Sequence, residues 1–407
     1  MPLRLVLPLL CCLFLCTCDR AAEMEDVNAD LNPAGTVVPD AETAVGKFVA
    51  NPQPVAKRDV LTLAVGSPAP DFTLMSVDGR YKSLADYADA KVLTLVFTAN
   101  HCPTAQAYEQ RLMDYQRDYA DRGVTVVAIS PNSPLGLLYQ ELGYSDLGDE
   151  YEEMQVRHRD AKYNFDYLYD GDDHAASLLY GPVATPHVFV LDADRTLRYT
   201  GRLDATELPG TTNAEDLRLA TDELLAGKPL SQPTTKTFGC STKWAWKTEF
   251  KEQVQQEWEA KPVTLEELTI SDVPALLRND SENLRLINLW ATWCGPCVLE
   301  YPDFLVTQRM YGQRNFEFVS ISMDKPDQGE KALKFLKKVQ SPVRNLHFTG
   351  ADKYELIEAI DPDWNGAIPY TILVAPGGEV VWRHQAEVDF LEMRRAIVEH
   401  ELMGRYF

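Results

Sequence analysis

The residues LWATWCGPCV (289–298) decide how this chain is read. A second stretch, FTANHCPTAQ (97–106), lies over them so that Cys102 falls on Cys294 and Ala105 on Cys297. Each cysteine ends an apolar, strand-like run and opens a segment with the apolar spacing of a helix. A cysteine placed there stands at a helix N-terminus, whose unpaired N–H groups stabilise negative charge. The same turn is written twice, once with two thiols and once with one.

Working outward, both halves carry the same order of elements. In the first, VLTLVFTA (92–99) and VTVVAIS (124–130) read as strands on either side of a helix bearing Ala105, Tyr108, Leu112, Tyr115 and Tyr119 on one face. VATPHVFVLD (183–192) and LRYTGRLD (197–204) read as a strand pair, and residues 213–227 as a closing helix. In the second, LRLINLWA (284–291), a helix after Cys294, FEFVSIS (316–322), a helix over 327–338, a strand pair over 367–385 and a closing helix repeat the plan. Pro186 after Thr185 and Pro369 after Ile368 each open the late strand, where proline is tolerated and X–Pro bonds take the cis form. Strands alternating with helices in each half predict an α/β class: two tandem folds, each a central mixed β-sheet flanked by helices. The first half has an insertion, PNSPLGLLYQELGYSDLGDEYEEM (131–154), whose acidic end reads as a solvated face.

At the N-terminus, Arg4 precedes an apolar run that is short for a membrane span and has the form of a secretory signal. It ends at Leu15-Cys16-Thr17-Cys18, which resembles a bacterial lipobox with Cys18 as the lipidated residue. The expected organisation is a leader over 1–18, a flexible tether over 19–58, a first domain over 59–230, an interdomain helical segment over 231–261 and a second domain over 262–407. Asp and Glu number 61 against 39 Lys and Arg, a net charge of −22 that argues against nucleic-acid binding. Of eight cysteines, three precede Cys18 in the leader, so the mature chain keeps too few for a disulfide-stapled scaffold. Such sparse cysteines in an exported chain are expected to be working groups.

Trp293-Cys294-Gly295-Pro296-Cys297 on a strand-to-helix turn, with Ile368-Pro369 opening a later strand, resembles thioredoxin. NLWATWCGPCVLEYP (288–302) resembles the TlpA-like, membrane-tethered thiol–disulfide oxidoreductases. The first half, opening on GSPAPDF (66–72), resembles the redoxin family, which includes the alkyl hydroperoxide reductase/thiol-specific antioxidant proteins. The resemblance implies two thioredoxin-like folds, a redox-active disulfide in place of a cofactor, protein thiols and disulfides as partners, and a membrane or extracytoplasmic electron donor. With the leader it implies a periplasmic protein, lipid-anchored through Cys18.

Two residues between Cys294 and Cys297 keep both sulfurs within bonding reach, and the helix N-terminus makes Cys294 the nucleophile and Cys297 the resolving thiol. Gly295-Pro296 resembles the reducing members of the superfamily. No second CxxC or His pair accompanies the motif to suggest zinc, and Val298 excludes the CxxCH haem pattern. Trp290 and Trp293 are expected to wall the site, with core packing the alternative for Trp290. Ile368 is expected to offer backbone groups to a peptide, and Pro369 to lie against the sulfurs. Thioredoxin's buried aspartate is replaced by Asn288. Glu300 matches a glutamate of the TlpA-like pattern and is the candidate for trading protons with Cys297.

The first site leaves three readings open. One is a peroxidase, although Leu95 and Ala99 stand where redoxin peroxidases carry Pro and Thr. Another is a single-cysteine site that binds client proteins or only packs. The third gives Cys102 a distant resolving partner in Cys240, within KTFGCSTKW (236–244), with Thr185 and Pro186 beside it. His101 adds positive charge next to Cys102. Trp246, Phe250, Val254 and Trp258 form a stripe expected to pack in the core or between domains. His174 reads as part of a solvated turn, and no metal site is expected.

Overall fold

The computed structural model describes residues 48–405. The leader, Cys18 and the tether up to residue 47 lie outside the described residues. The tether expected to reach residue 58 is docked from Phe48 onward. Phe48 packs edge-on against Tyr151 at 4.7 Å, and the Asn51 N–H donates to the Asp172 carboxylate at 2.8 Å.

The first half forms a seven-stranded sheet from β1 (Thr73–Ser76), β2 (Tyr81–Ser83), β3 (Val92–Phe97), β4 (Val124–Ser130), β5 (Asp166–Tyr169), β7 (His187–Leu191) and β8 (Leu197–Gly201), in the order β2-β1-β5-β4-β3-β7-β8. A two-residue strand, β6 (Ala184–Thr185), leaves this sheet to pair with β9 (Cys240–Ser241) of the interdomain segment. The second half forms a six-stranded sheet from β10 (Glu266–Leu268), β11 (Leu284–Trp290), β12 (Phe316–Ser322), β13 (Arg344–Phe348), β14 (Tyr370–Val374) and β15 (Val380–Gln385), in the order β10-β13-β12-β11-β14-β15. In each sheet the strand that leads to the cysteine turn, β3 or β11, runs parallel to one neighbour and antiparallel to the other.

Both central strands are buried along their whole length, which is why they read as unbroken apolar runs. Successive side chains alternate between faces. Val92 and Val96 enter the core beneath Tyr108, Leu112 and Tyr115, while Leu93, Leu95 and Phe97 enter the core on the opposite face. After each central strand comes a helix of 17 residues, α1 (Pro103–Tyr119) and α2 (Gly295–Tyr311). Cys102 and Cys294 are their N-caps. A shorter helix, α3 (Phe390–Glu399), closes the second half.

The described residues, 48–405, form one compact unit. The insertion supplies the junction, and its acidic end is solvated only in part: Glu150 and Glu152 are exposed, Asp146 and Asp149 buried. Asp146 is buried and accepts from Arg395 of α3 at 3.0 Å and from Arg405 at 2.8 Å. The Tyr311 hydroxyl, at the end of α2, donates to the Ser145 carbonyl at 2.8 Å, and the Arg314 guanidinium lies 4.0 Å over the Tyr144 ring. The expected aromatic stripe is only partly used. Trp246 stacks on Trp244 at 4.8 Å, and the Arg309 guanidinium lies 5.2 Å over the Trp258 ring, but Phe250 is 61% exposed. His174 is buried, not solvated: its Nε2 accepts the Ala245 N–H at 2.9 Å.

Asp146→Ala removes charge-assisted hydrogen bonds to two arginines that stay partly solvated, one of them still paired with Asp160. It is expected to destabilise the chain by about 1–3 kcal/mol, read as a fall in the urea midpoint relative to the unaltered protein.

Candidate functional site

The second site is a formed disulfide. Cys294 and Cys297 are joined at 1.96 Å, with their Cα atoms 5.3 Å apart. The Cys297 N–H points at the Cys294 sulfur at 3.4 Å, and the Ile368 carbonyl oxygen lies 3.7 Å from that sulfur on the other side. The Ile368–Pro369 bond is cis, as is Thr185–Pro186. Cys294 is 6% exposed and Cys297 1%, so Cys294 is the more accessible sulfur.

The turn before Cys294 is pinned by the Asp324 carboxylate, which accepts the Thr292 N–H at 3.0 Å and the Thr292 hydroxyl at 2.6 Å. Trp293 stands 58% exposed beside the disulfide, with the Lys353 ammonium 5.8 Å above its ring. Trp290 does not wall the site. It is the sixth residue past Leu284 in a strand that is buried throughout, and its ring packs on Tyr301 at 5.0 Å and Phe335 at 4.9 Å. Gly295 and Pro296 form the first helical positions. Asn288, beneath them in β11, donates to the Thr371 hydroxyl at 3.0 Å.

Glu300 lies one turn beyond Cys297 on α2 and is buried. One carboxylate oxygen accepts the Val388 N–H at 3.0 Å; the other is buried with no hydrogen-bond partner. Burial pushes its carboxyl up to about 7; the Val388 N–H opposes this, and the nearby Glu387 and Asp303 charges add to it.

The first site repeats the geometry with different chemistry. The Ala105 N–H points at the Cys102 sulfur at 3.4 Å, and the Thr185 carbonyl oxygen lies 3.1 Å from it, matching Cys297 N–H and Ile368 O in the second site. The equivalent of Asp324 is Asp149, which accepts the Asn100 and His101 N–H groups at 2.8 and 3.1 Å. At the position of Trp293 stands His101, buried, with Nδ1 2.6 Å from the other Asp149 oxygen. Burial disfavours charge on His101, but the Asp149 carboxylate outweighs it and raises the imidazole; the same pairing holds Asp149 down against burial.

Cys102 is wholly buried and Cys240 half-buried against it. The two thiols pack against one another, and neither is in a disulfide. Burial pushes the Cys102 thiol up, but the Cys240 thiol, the His101 charge, the Thr185 hydroxyl and the Ala105 N–H together hold it down. Cys240 is raised, first by its bond to Cys102 and then by burial. Sequence reasoning missed Asp149, which lies 47 positions from Cys102 inside an insertion with no motif of its own. Among the described residues no group of His, Cys, Asp and Glu side chains is arranged to hold a metal.

Residues 65–200 match the AhpC/TSA family and residues 279–397 match the Redoxin family. Both halves are thioredoxin-like redoxin domains. The thiol:disulfide interchange protein HelX of Rhodobacter capsulatus is 30% identical over 102 residues, covering 25% of this chain and 51% of that protein. A candidate peroxiredoxin of Mycobacterium tuberculosis H37Rv is 40% identical over 74 residues, covering 18% of this chain and 46% of that protein. The chain thus spans about half the length of these curated relatives. Among solved structures, a hypothetical protein of Sinorhizobium meliloti 1021 is 30% identical with a TM-score of 0.40, covering 45% of this chain and 96% of that one. A candidate thiol:disulfide interchange protein DsbE of Chlorobium tepidum is 21% identical with a TM-score of 0.32, covering 40% and 99%.

The Glu300 environment in the second redoxin domain has a measurable consequence. A carboxyl raised by folding adds stability at pH values below its unfolded pKa, and that contribution is lost as pH rises through the folded value. Between pH 5 and 8 the oxidised protein is expected to lose stability relative to Glu300→Gln, most steeply between the ordinary carboxyl range and about 7 and levelling off above it, in urea titrations of the two proteins. Parallel curves would show that Glu300 does not titrate there.

Proposed function

We propose that the chain is an extracytoplasmic thiol–disulfide oxidoreductase that reduces disulfides of partner proteins at Cys294 and Cys297. The observation that carries this reading is the Cys294–Cys297 disulfide at a helix N-terminus. Its more accessible sulfur lies between the Ile368 carbonyl and an exposed tryptophan. HelX, a thiol:disulfide interchange protein by name, supports it.

In the reduced domain the helix N-terminus stabilises the Cys294 thiolate. That thiolate attacks one sulfur of a partner disulfide, forming a mixed disulfide and releasing the partner's other sulfur as thiolate. Cys297 then attacks Cys294, closing the Cys294–Cys297 bond and freeing the partner with two electrons gained. Cys297 must lose its proton to do so, and Glu300 is the buried carboxyl one turn away that accepts it. Ile368 offers its backbone to the extended partner segment, and Trp293 its exposed ring; among the described residues no strand pairs with Ala367–Ile368. The Gly295-Pro296 pair favours the reducing direction, as in thioredoxin-like couples near about −270 mV. An extracytoplasmic or membrane dithiol donor returns the electrons.

Location follows from the leader and the Leu15–Cys18 stretch, which put Cys18 forward as a lipid anchor on a bacterial membrane. Among the described residues no helix is long and apolar enough to cross a membrane.

Cys294→Ser is expected to abolish reduction of a model protein disulfide such as insulin. Cys297→Ser is expected to accumulate a mixed disulfide on Cys294, visible on non-reducing gels and removed by dithiothreitol. Undiminished insulin reduction by Cys294→Ser would overturn the reading.

A further inference from the structure

The first redoxin domain holds a buried His–Asp pair and two free thiols that the exchange at Cys294 does not use. Their arrangement is built from three separate parts of the chain. Cys102 comes from the N-terminus of α1, Asp149 from the insertion, and Cys240 from the interdomain segment. That segment is fitted to the Cys102 site at every residue from 239 to 243. Thr185 pairs with Cys240 and Ala184 with Ser241 in an antiparallel strand pair. Gly239, at φ +135°, approaches so closely that a Cβ would meet the Thr185 carbonyl oxygen at 2.1 Å. The Thr242 hydroxyl donates to the Pro182 carbonyl at 2.9 Å. The Lys243 N–H donates to Asn132 Oδ1 at 2.8 Å, and Asn132 in turn donates to Asp149 Oδ2 at 2.7 Å. The strand carrying the second thiol and the carboxylate beneath the first thiol thus share one hydrogen-bond network. The backbone edge that stands open at Ile368 in the second domain is occupied here by the chain itself.

We propose that Cys102 and Cys240 form a second, tethered redox couple, in which Cys240 is the sulfur that exchanges with incoming thiolates and Cys102 is the buried leaving thiolate, held by the His101–Asp149 pair. The roles follow from burial and charge. Cys102 is fully enclosed, so an incoming group meets Cys240. The His101 ring, next in sequence to Cys102, is buried with its Nδ1 on Asp149 and its Nε2 without a hydrogen-bond partner, and its charge favours the Cys102 thiolate. This polarity is opposite to that of the second domain, where the sulfur at the helix N-terminus is the one that exchanges.

In the oxidised couple a donor thiolate attacks the Cys240 sulfur and breaks the Cys102–Cys240 bond. This forms a donor–Cys240 mixed disulfide and leaves Cys102 as thiolate. A leaving thiolate of low pKa departs faster. A second donor thiolate then displaces Cys240, which takes a proton. The donor dithiol is oxidised to a disulfide, and the couple gains two electrons. The charged and titratable groups around Cys102 are His101, Asp149, Cys240 and Lys243. Stabilising the reduced form makes a couple more oxidising, so this one accepts electrons from ordinary thiol donors.

The test equilibrates the full chain in reduced and oxidised glutathione at pH 7, quenches with acid, alkylates and maps the linked peptides. A Cys102–Cys240 peptide is expected both in the unaltered chain and in the Cys294→Ser/Cys297→Ser variant, so the outcome is independent of the Cys294 reading. Asp149→Asn and His101→Gln are expected to shift its half-oxidation point toward the disulfide, by up to about tenfold in equilibrium constant for each unit by which the Cys102 pKa lies below the working pH and is raised toward it. In single-cysteine variants, Cys240 of Cys102→Ser is expected to take up glutathione and Cys102 of Cys240→Ser to stay free. Cys102 and Cys240 recovered unlinked in buffers that fully oxidise Cys294–Cys297 would overturn the couple. The reverse adduct pattern, or a half-oxidation point unmoved in both Asp149→Asn and His101→Gln, would overturn the assigned roles.

Discussion

A sulfur held against the first free N–H groups of a long helix is the interaction on which this structure turns. Cys102 and Cys294 each cap a helix of 17 residues, and each sulfur faces the N–H three residues on at 3.4 Å. That geometry needs a buried strand leading into the turn, a helix anchored by its apolar face and a proline-opened strand alongside. Both domains supply all three. Placing negative charge on sulfur is then favoured by backbone dipoles that cost nothing further to orient.

What each domain does with that sulfur depends on the residue before it. In the second domain Trp293 projects outward and Asp324 binds the Thr292 turn and the Ser322 hydroxyl, so the sulfur faces an open edge. In the first, His101 turns inward onto Asp149, and the interdomain segment closes over Cys102. The insertion that supplies Asp149 also supplies Asp146 and Ser145 at the junction between domains. Enclosure of the first sulfur and docking of the second domain are therefore two consequences of one segment.

The second domain was legible because its chemistry is local. Cys294, Gly295, Pro296 and Cys297 lie within one turn, and Glu300 lies on the same helix face. The first domain was legible as a fold and, as a site, only as one of three open readings. Cys240 was identifiable only as a thiol left over, and Asp149 looked like one carboxylate among many in an acidic loop. Trp290 stayed open between wall and core because an aromatic next to a redox turn looks the same in sequence whether its strand position faces the site or the core. The β11 register turns it inward onto Tyr301 and Phe335.

The sequence alone determined the elements set by short-range periodicity: two central strands, two long helices, the capping cysteines and the prolines that open the late strands. Those depend on backbone preferences and apolar spacing within a few residues. Only the tertiary structure decided which carboxylate lies under Cys102, that Cys240 is seated on the Thr185 edge, and that Phe48 and His174 are packed. Such contacts join segments tens of residues apart. They are selected by whether a buried charge or polar group finds its partner in the folded chain, a condition that no local pattern records.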